Sequence, residues 1–195
     1  MNAPTETVMI NISGDRVALG PLTSAHVPFL VRWDNDWATT RTTTIPPQPI
    51  SPDAYAAGFP QALTIQDRTP FMIYERATLQ PIGYTDLHRI DHRNRTAEYA
   101  IGIGDAEYRG KGYGTEVTRL MLDYAFTAQG LASVMLSVVA VNAHGIRAYT
   151  KAGFREIGRR RQAWMLAGQL WDIVYMDCLA SEFESMVVRE VLLPA

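Results

Sequence analysis

Three glycines and two cations fall within the six residues from Arg109 to Gly114. An apolar strand-like run, Tyr99 to Ile103, precedes them, and an amphipathic helical pattern follows. This strand–turn–helix unit constrains the chain more than any other stretch. Glycine lacks a Cβ, so backbone N–H groups beside it can face outward and approach a ligand closely. The first turn of a helix carries N–H groups without intrahelical partners, and the helix dipole places partial positive charge there. Together these make a cradle for a phosphate or pyrophosphate. A solvated glycine turn would have the same composition, so spacing has to decide.

Two familiar phosphate loops fail on spacing. A P-loop needs G-x-x-x-x-G-K-[ST], but Asp105 stands where its first glycine should be and Gly112 where its Ser or Thr should be. The dinucleotide fingerprint G-x-G-x-x-G does not fit glycines at 110, 112 and 114, and no acidic strand end follows about 20 residues on. What does fit is Arg-x-x-Gly-x-Gly, read as Arg109, Gly112 and Gly114.

A length of 195 residues points to one domain, long enough to bury a core. The net charge of −2 gives no bulk attraction to nucleic acid, so no nucleic-acid partner is expected. The single Cys178 excludes an internal disulfide and fits a reducing compartment. No apolar stretch reaches the length of a membrane span, and the N-terminal residues do not read as a leader. The expectation is a cytoplasmic protein without a membrane partner.

Along the chain, residues 1–7 read as a loose polar start. Val8 to Ile12 and Arg16 to Leu19 read as two short strands across a glycine turn. Thr23 caps a predicted helix to about Trp33. Residues 37–49 form a long loop, and Ser51-Pro52 starts a helix to about Ile65 that Gly58 or Pro60 could break. Strands are predicted at Phe71–Ala77, Pro81–Ile90 and Arg95–Ile103. The middle one places Ile82, Tyr84, Asp86 and His88 on one face. Tyr113–Gln129 is the best helix, stopped by Gly130. Val134–Val141 reads as a strand buried on both faces, Ala143–Ala152 as a short helix, and Phe154–Met165 with Leu170–Cys178 as a hairpin. The layout is α+β around one mixed, mostly antiparallel sheet with flanking helices. The domain is assigned to residues 1–180, with 23–65 as a helical acceptor-binding part and 181–195 as a tail whose apolar residues pack on the domain or on a second subunit.

A loop as long as 37–49 is uncommon unless it binds something or moves, and is read as a substrate lid. Trp33 and Asp34 beside it, with Tyr84 and Asp86 on the strand face, are the candidate substrate-binding residues. They offer apolar walls and negative charge to a cationic guest. A second constellation opens at the end of the predicted strand: Asn142, then Arg147-Ala148-Tyr149-Thr150-Lys151-Ala152-Gly153-Phe154. The Tyr149 phenol could donate a proton to a leaving thiolate, or it could simply pack in the helix interface. The four histidines show no ligand-like cluster, so no metal site is expected.

The two blocks, in this order, spacing and strand–helix context, resemble the GNAT family of N-acetyltransferases over about Ala97 to Phe154. The neighbouring Ala97-Glu98-Tyr99, Gly104-Asp105 and the late Gly168 hairpin make the chain look like the branch of ribosomal-protein, spermidine and antibiotic acetyltransferases. The resemblance implies acetyl-coenzyme A as co-substrate and a sheet with one splayed pair of strands. It implies that Arg109, Gly110, Lys111, Gly112, Tyr113, Gly114 and Thr115 hold the pyrophosphate through backbone N–H groups. Ile101 and Ile103 would pair with the pantetheine arm, with Gly102 and Gly104 as suitable bulge residues beside the splay. Asn142 would contact the pantetheine or hold the splayed strand, and Arg147 or Lys151 would meet the nucleotide. Tyr149 would protonate the departing thiolate. Glu98 would take the amine's proton, directly or through water, unless it is instead a structural partner of Arg95 or another arginine. The implied reaction is direct transfer to a primary amine: a protein N-terminus, a polyamine, or a small amine such as an amino acid or antibiotic. A homo-oligomer is compatible with this reading. A non-catalytic acyl-coenzyme A sensor would keep the loop, but the presence of Tyr149 and Glu98 counts against it.

Overall fold

The computed structural model describes residues 8–193; the stretches 1–7 and 194–195 lie outside the described residues. Eight strands form one sheet in the order β1-β2-β3-β4-β5-β6-β8-β7. They are β1 Ile12–Ser13, β2 Val17–Pro21, β3 Thr69–Glu75, β4 Pro81–Asp91, β5 Thr96–Ile103, β6 Ser133–Val139, β7 Arg155–Leu166 and β8 Gln169–Leu179. Neighbours run antiparallel except β5 and β6. Short turns join β1 to β2, β3 to β4 and β4 to β5, the helices of residues 22–68 stand between β2 and β3, and a helical crossover makes the one parallel pair. The β7–β8 hairpin turns at Ala167 and Gly168, both with positive φ as a two-residue hairpin turn demands.

Helices cover the two faces. On one side, α1 Val27–Asn35 and α3 Pro52–Leu63 bury Leu30, Trp33 and Phe59 against Ala18, Met72 and Tyr74. On the other, α4 Tyr113–Asp123 packs Val117, Leu120 and Met121 against Leu19, Ile73, Leu87, Tyr99, Val134 and Val174. α5 Ala143–Ala152 adds Ile146 and Tyr149 to that layer. The amphipathic spacing read in 113–129 is what points α4 inward. Its last stretch differs from expectation: Tyr124–Ala128 is a π turn before Gly130 ends the helix at φ +64°.

Several local expectations are corrected. α3 runs unbroken through Gly58 and Pro60. The predicted loop 37–49 opens with a helical turn, α2 Trp37–Thr40, capped by the Asp36 carboxylate, which accepts from Ala38 N at 3.0 Å and from the Thr39 hydroxyl at 2.5 Å. Ile82 does not share a face with Tyr84. A register shift at Ile73/Tyr74 turns Ile82 into the α4-side core, while Tyr84 stays on the α1/α3 side. β6 is not buried on both faces: Val134, Leu136 and Val138 are buried, but Ser137 is exposed.

The tail folds back on its own domain. Phe183 meets Phe126 with ring centroids 5.6 Å apart, and Val188 is buried in α6 Val188–Leu192. The anchor is Asp123, buried at the end of α4. Its carboxylate accepts from the Ser185 hydroxyl and from N–H of Met186, Val187 and Val188 at 2.5–2.9 Å. Burial alone would raise its pKa, but these bonds together hold it below the ordinary aspartate value of 3.8. The stability it contributes is therefore complete above about pH 4 and is lost as pH falls through the lower, folded value. Asp123→Ala strands three N–H groups and is expected to cost about 2–3 kcal/mol, or roughly 5–10 °C in Tm near neutral pH. A melting scan showing an unchanged Tm would mean that the tail docks without this acceptor.

Candidate active site

The two halves of the sheet meet at β5 and β6, and there the sheet opens. The strands pair only at Thr96–Glu98 with Ser133–Met135, although β5 continues to Ile103 and β6 to Val139. Beyond Glu98 they splay apart. On its other edge β5 stays in unbroken register with β4 from Glu98 to Ile103. The Gly104 N–H bonds Ile82 O at 2.9 Å. Antiparallel alternation then turns the N–H and C=O groups of Ile101 and Ile103 to the splayed edge. No bulge at Gly102 or Gly104 produces the opening. The irregularity on this pair lies on β4 between His88 and Asp91, where Arg89 adopts φ +50°. Gly104 serves another purpose: a Cβ there would lie 2.1 Å from the Trp33 ring.

The glycine turn sits between β5 and α4. Gly110 and Gly112 have φ +72° and +87°, and Gly112 is the N-cap of α4. Among the described residues, none accepts a hydrogen bond from the N–H of Gly110, Lys111 or Gly112. Around Gly110 and Gly114, space is open where a Cβ would sit. Tyr113, Gly114 and Thr115 form the first helical turn, whose N–H groups have no intrahelical acceptors. The geometry suits an anion with several acceptor oxygens.

Arg109 is placed differently from the reading that gave it a free N–H. That N–H bonds Ala106 O at 3.1 Å. Its guanidinium bonds Ile103 O at 3.1 Å, Gly104 O, and the Thr39 hydroxyl at 2.5 Å, so it pins the turn to the end of β5. Spacing did not reveal Arg16, which bonds Lys111 O at 2.7 Å and Glu116 at 3.0 Å and lies against Gly112. It stitches the β1–β2 turn to the loop from 95 residues away, and nothing in the local pattern signals that.

Asn142 is the N-cap of α5: its Oδ1 accepts from Gly145 N at 2.8 Å, and its Nδ2 donates to Thr42 O at 3.3 Å. Its amide is thus engaged in capping rather than turned to a ligand. Through Thr39 and Thr42 the α2 segment ties the C-terminal end of β5 to that of β6, across the open end of the splay. Arg147 and Lys151 are exposed on α5, and Arg147 contacts His144 at 2.8 Å.

Tyr149 lies on the α4 side of the sheet, its ring edge-on to Tyr99 at 6.3 Å and to Phe154 at 6.1 Å. Burial pushes its phenol up to about 12, so it stays protonated at neutral pH. Among the described residues no hydrogen bond is found to its hydroxyl. Glu98 projects to the opposite face, at the last paired rung before the splay. It accepts from Arg89 at 2.8 Å and faces His88 Nε2 at 3.5 Å. Its arginine partner is Arg89, not Arg95, which instead bonds Gly130 O. His88 Nδ1 lies 3.3 Å from Asp86, and buried Asp86 pairs with Arg68. An Asp86–His88–Glu98 row therefore leads to the mouth of the splay.

Of the proposed acceptor residues, Trp33 is corrected: only 2% exposed, it packs under Gly104 and beside Phe29 as a core residue. Asp34 is partly buried, which raises its pKa, and its carboxylate accepts from the hydroxyls of Tyr55 and Tyr84, each at 3.1 Å. Tyr84 lies on the α1/α3 side with its hydroxyl on Asp34, and Asp86 is paired with Arg68. Among the described residues no group of three or more His, Cys, Asp or Glu could hold a metal, and no helix is long and apolar enough to cross a membrane.

A mixed sheet whose one parallel pair splays beside a helix-borne glycine turn defines an acetyltransferase-type domain. The sequence profile described as the acetyltransferase (GNAT) domain matches residues 16–155, and the chain belongs to that family. It is 31% identical over 111 residues to a spermidine N(1)-acetyltransferase of Vibrio cholerae, covering 57% of this chain and 64% of that protein. It is 35% identical over 94 residues to the Escherichia coli K12 spermidine N(1)-acetyltransferase, covering 48% and 50%. The chain thus spans between half and two thirds of the length of these curated relatives. A crystal structure of the Vibrio cholerae spermidine N-acetyltransferase in complex with CoA and spermine superposes with a TM-score of 0.80 at 24% identity, over 87% of this chain and 98% of that one. At that identity the likeness concerns the fold.

Proposed function

We propose that the protein transfers an acetyl group from acetyl-coenzyme A to a primary amine. The observation that carries this is the splay itself: a strand edge left without a partner strand beyond Glu98, next to a helix turn with unclaimed N–H groups. Acetyl-coenzyme A supplies the activated thioester. Gly110, Lys111, Gly112 and the first turn of α4 would hold its pyrophosphate, and the Ile101–Ile103 edge would order the pantetheine arm. Thr39 and Thr42, at the end of the splay, fit the lid reading of their segment.

Tyr149 and Glu98 flank the splay from opposite faces, one with a proton to give and one with a carboxylate to receive one. An amine must be neutral to attack, so a proton has to leave it. Glu98 is the nearest candidate on the acceptor face. Asp86 holds the His88 ring so that its second nitrogen faces Glu98, which gives the proton a route onward to solvent. Glu98→Gln is expected to lower kcat at pH 7 by about 10²-fold, the lower end of general-base effects. The loss should shrink as pH rises and more of the amine is neutral. A loss that stays flat with pH would make the Arg89–Glu98 pair a structural one. The test of the function as a whole is thiol release from acetyl-coenzyme A against a panel of amines. Tight cofactor binding without turnover of any amine would instead favour the sensor reading.

A further inference from the structure

A cavity of about 230 Å³ opens between α1, α3 and strands β3 and β4, on the face that carries Glu98. Its walls are apolar: Leu22, Leu30, Phe59 and Leu63 among them. Three polar side chains reach it, Tyr55, Tyr84 and Arg68. Each is already committed. The two tyrosine hydroxyls donate to Asp34, and the Arg68 guanidinium pairs with Asp86. No carboxylate lines the cavity, and the one formal charge on its wall is positive.

The cavity is connected to the reaction site by contact. Arg68 leads to Asp86, Asp86 to His88, and His88 to Glu98 at the mouth of the splay. Tyr84 on its floor sits opposite Gly102 of β5. An amine presented to Glu98 stands on the same face of the sheet as this cavity, and a body extended along β4 past His88 and Asp86 would run toward it. An apolar cavity of roughly 150 Å³ already admits a benzene ring, so this one has room for a ring with a short linker or an aliphatic chain.

We infer that the acceptor is a monoamine with an apolar body, which occupies this cavity while the amino group faces Glu98. The inference rests on the acetyltransferase reading above and specifies its substrate class. A polyamine is the disfavoured occupant, because its second ammonium group would meet Arg68 and apolar walls, while the nearest carboxylates, Asp34 and Asp86, stand behind the cavity wall and are already held by Tyr55, Tyr84 and Arg68. Burying an unpaired charge costs far more than burying methylenes gains.

Gly58 offers a way to test this. It lines the cavity from α3, and a Cβ added there meets nothing within 4 Å. Its φ lies outside the positive range, so Gly58→Phe can fill the cavity without backbone strain. Ala62→Phe, one turn on, is the second variant. With wild-type protein and acetyl-coenzyme A, kcat/KM should rise about fourfold per methylene from ethylamine to hexylamine. Phenethylamine should exceed spermidine at least tenfold. Each Phe variant that keeps the wild-type Tm should flatten the alkyl series, mainly through KM. If spermidine matches or exceeds phenethylamine, or if the alkyl series is flat in wild type, the substrate class is wrong though the enzyme reading stands. If no amine is turned over, it is the acetyltransferase reading that fails.

Discussion

Tyr149→Phe is expected to lower kcat by about 10²-fold or more while leaving acetyl-coenzyme A affinity nearly unchanged. When the C–S bond breaks, sulfur departs with negative charge, and a phenol within reach can donate a proton as that charge develops. Burial holds the phenol protonated well above neutral pH. The substitution removes one oxygen and keeps the ring contacts with Tyr99 and Phe154, so the fold should survive. A loss confined to the transition state appears as lower kcat without weaker ground-state binding. Stopped-turnover assays paired with calorimetry separate the two. Wild-type turnover in a folded Tyr149→Phe protein would make Tyr149 a packing residue, with water as the proton donor.

The second large effect should come from Gly112→Val. Gly112 caps α4 at φ +87°, a conformation a β-branched residue adopts only with strain, and a Cβ there would lie 2.9 Å from the Arg16 guanidinium. Relieving that strain turns the loop and re-aims the N–H groups of Lys111 and Gly112. Acetyl-coenzyme A affinity is expected to fall at least about tenfold, since each charge-assisted bond lost is worth on the order of 1.5–3 kcal/mol. Because α4 is held mainly by Val117, Leu120 and Met121 in the core, the chain should still fold. Unchanged affinity by calorimetry would remove the pyrophosphate assignment from this loop.

Both predictions act on residues that lie in the two blocks carrying the family resemblance, and the local pattern around them marks what sequence determined here. The 3–4 spacing of apolar residues after Gly112 specifies α4, and the glycines before it specify the positive-φ turn, because these are local steric and solvation requirements. Ala143–Ala152 with its Gly153 stop, and the hairpin at Ala167-Gly168, were readable for the same reason. The fold class follows from the order of such elements.

What only the tertiary structure decided is which side chains meet. Trp33 reads as a binding wall in sequence, yet Gly104, 71 positions away, gives it a slot in the core. Arg109 reads as one of the backbone N–H donors of the loop, yet its N–H bonds Ala106 O and its guanidinium bonds the end of β5 and Thr39. Asn142 reads as a pantetheine contact or as a brace of the splayed strand, and its place as the cap of α5, bonded to Thr42 O, is visible only in the fold. Arg16 gave no signal, because Lys111 O and Glu116 reach it from the loop and from α4; Asp86 and His88 share a strand face in sequence, but only the β4–β5 pairing sets Glu98 opposite His88. A polar side chain goes to whichever partner burial brings within reach, and that depends on strand register and helix docking across the whole chain rather than on its neighbours in sequence.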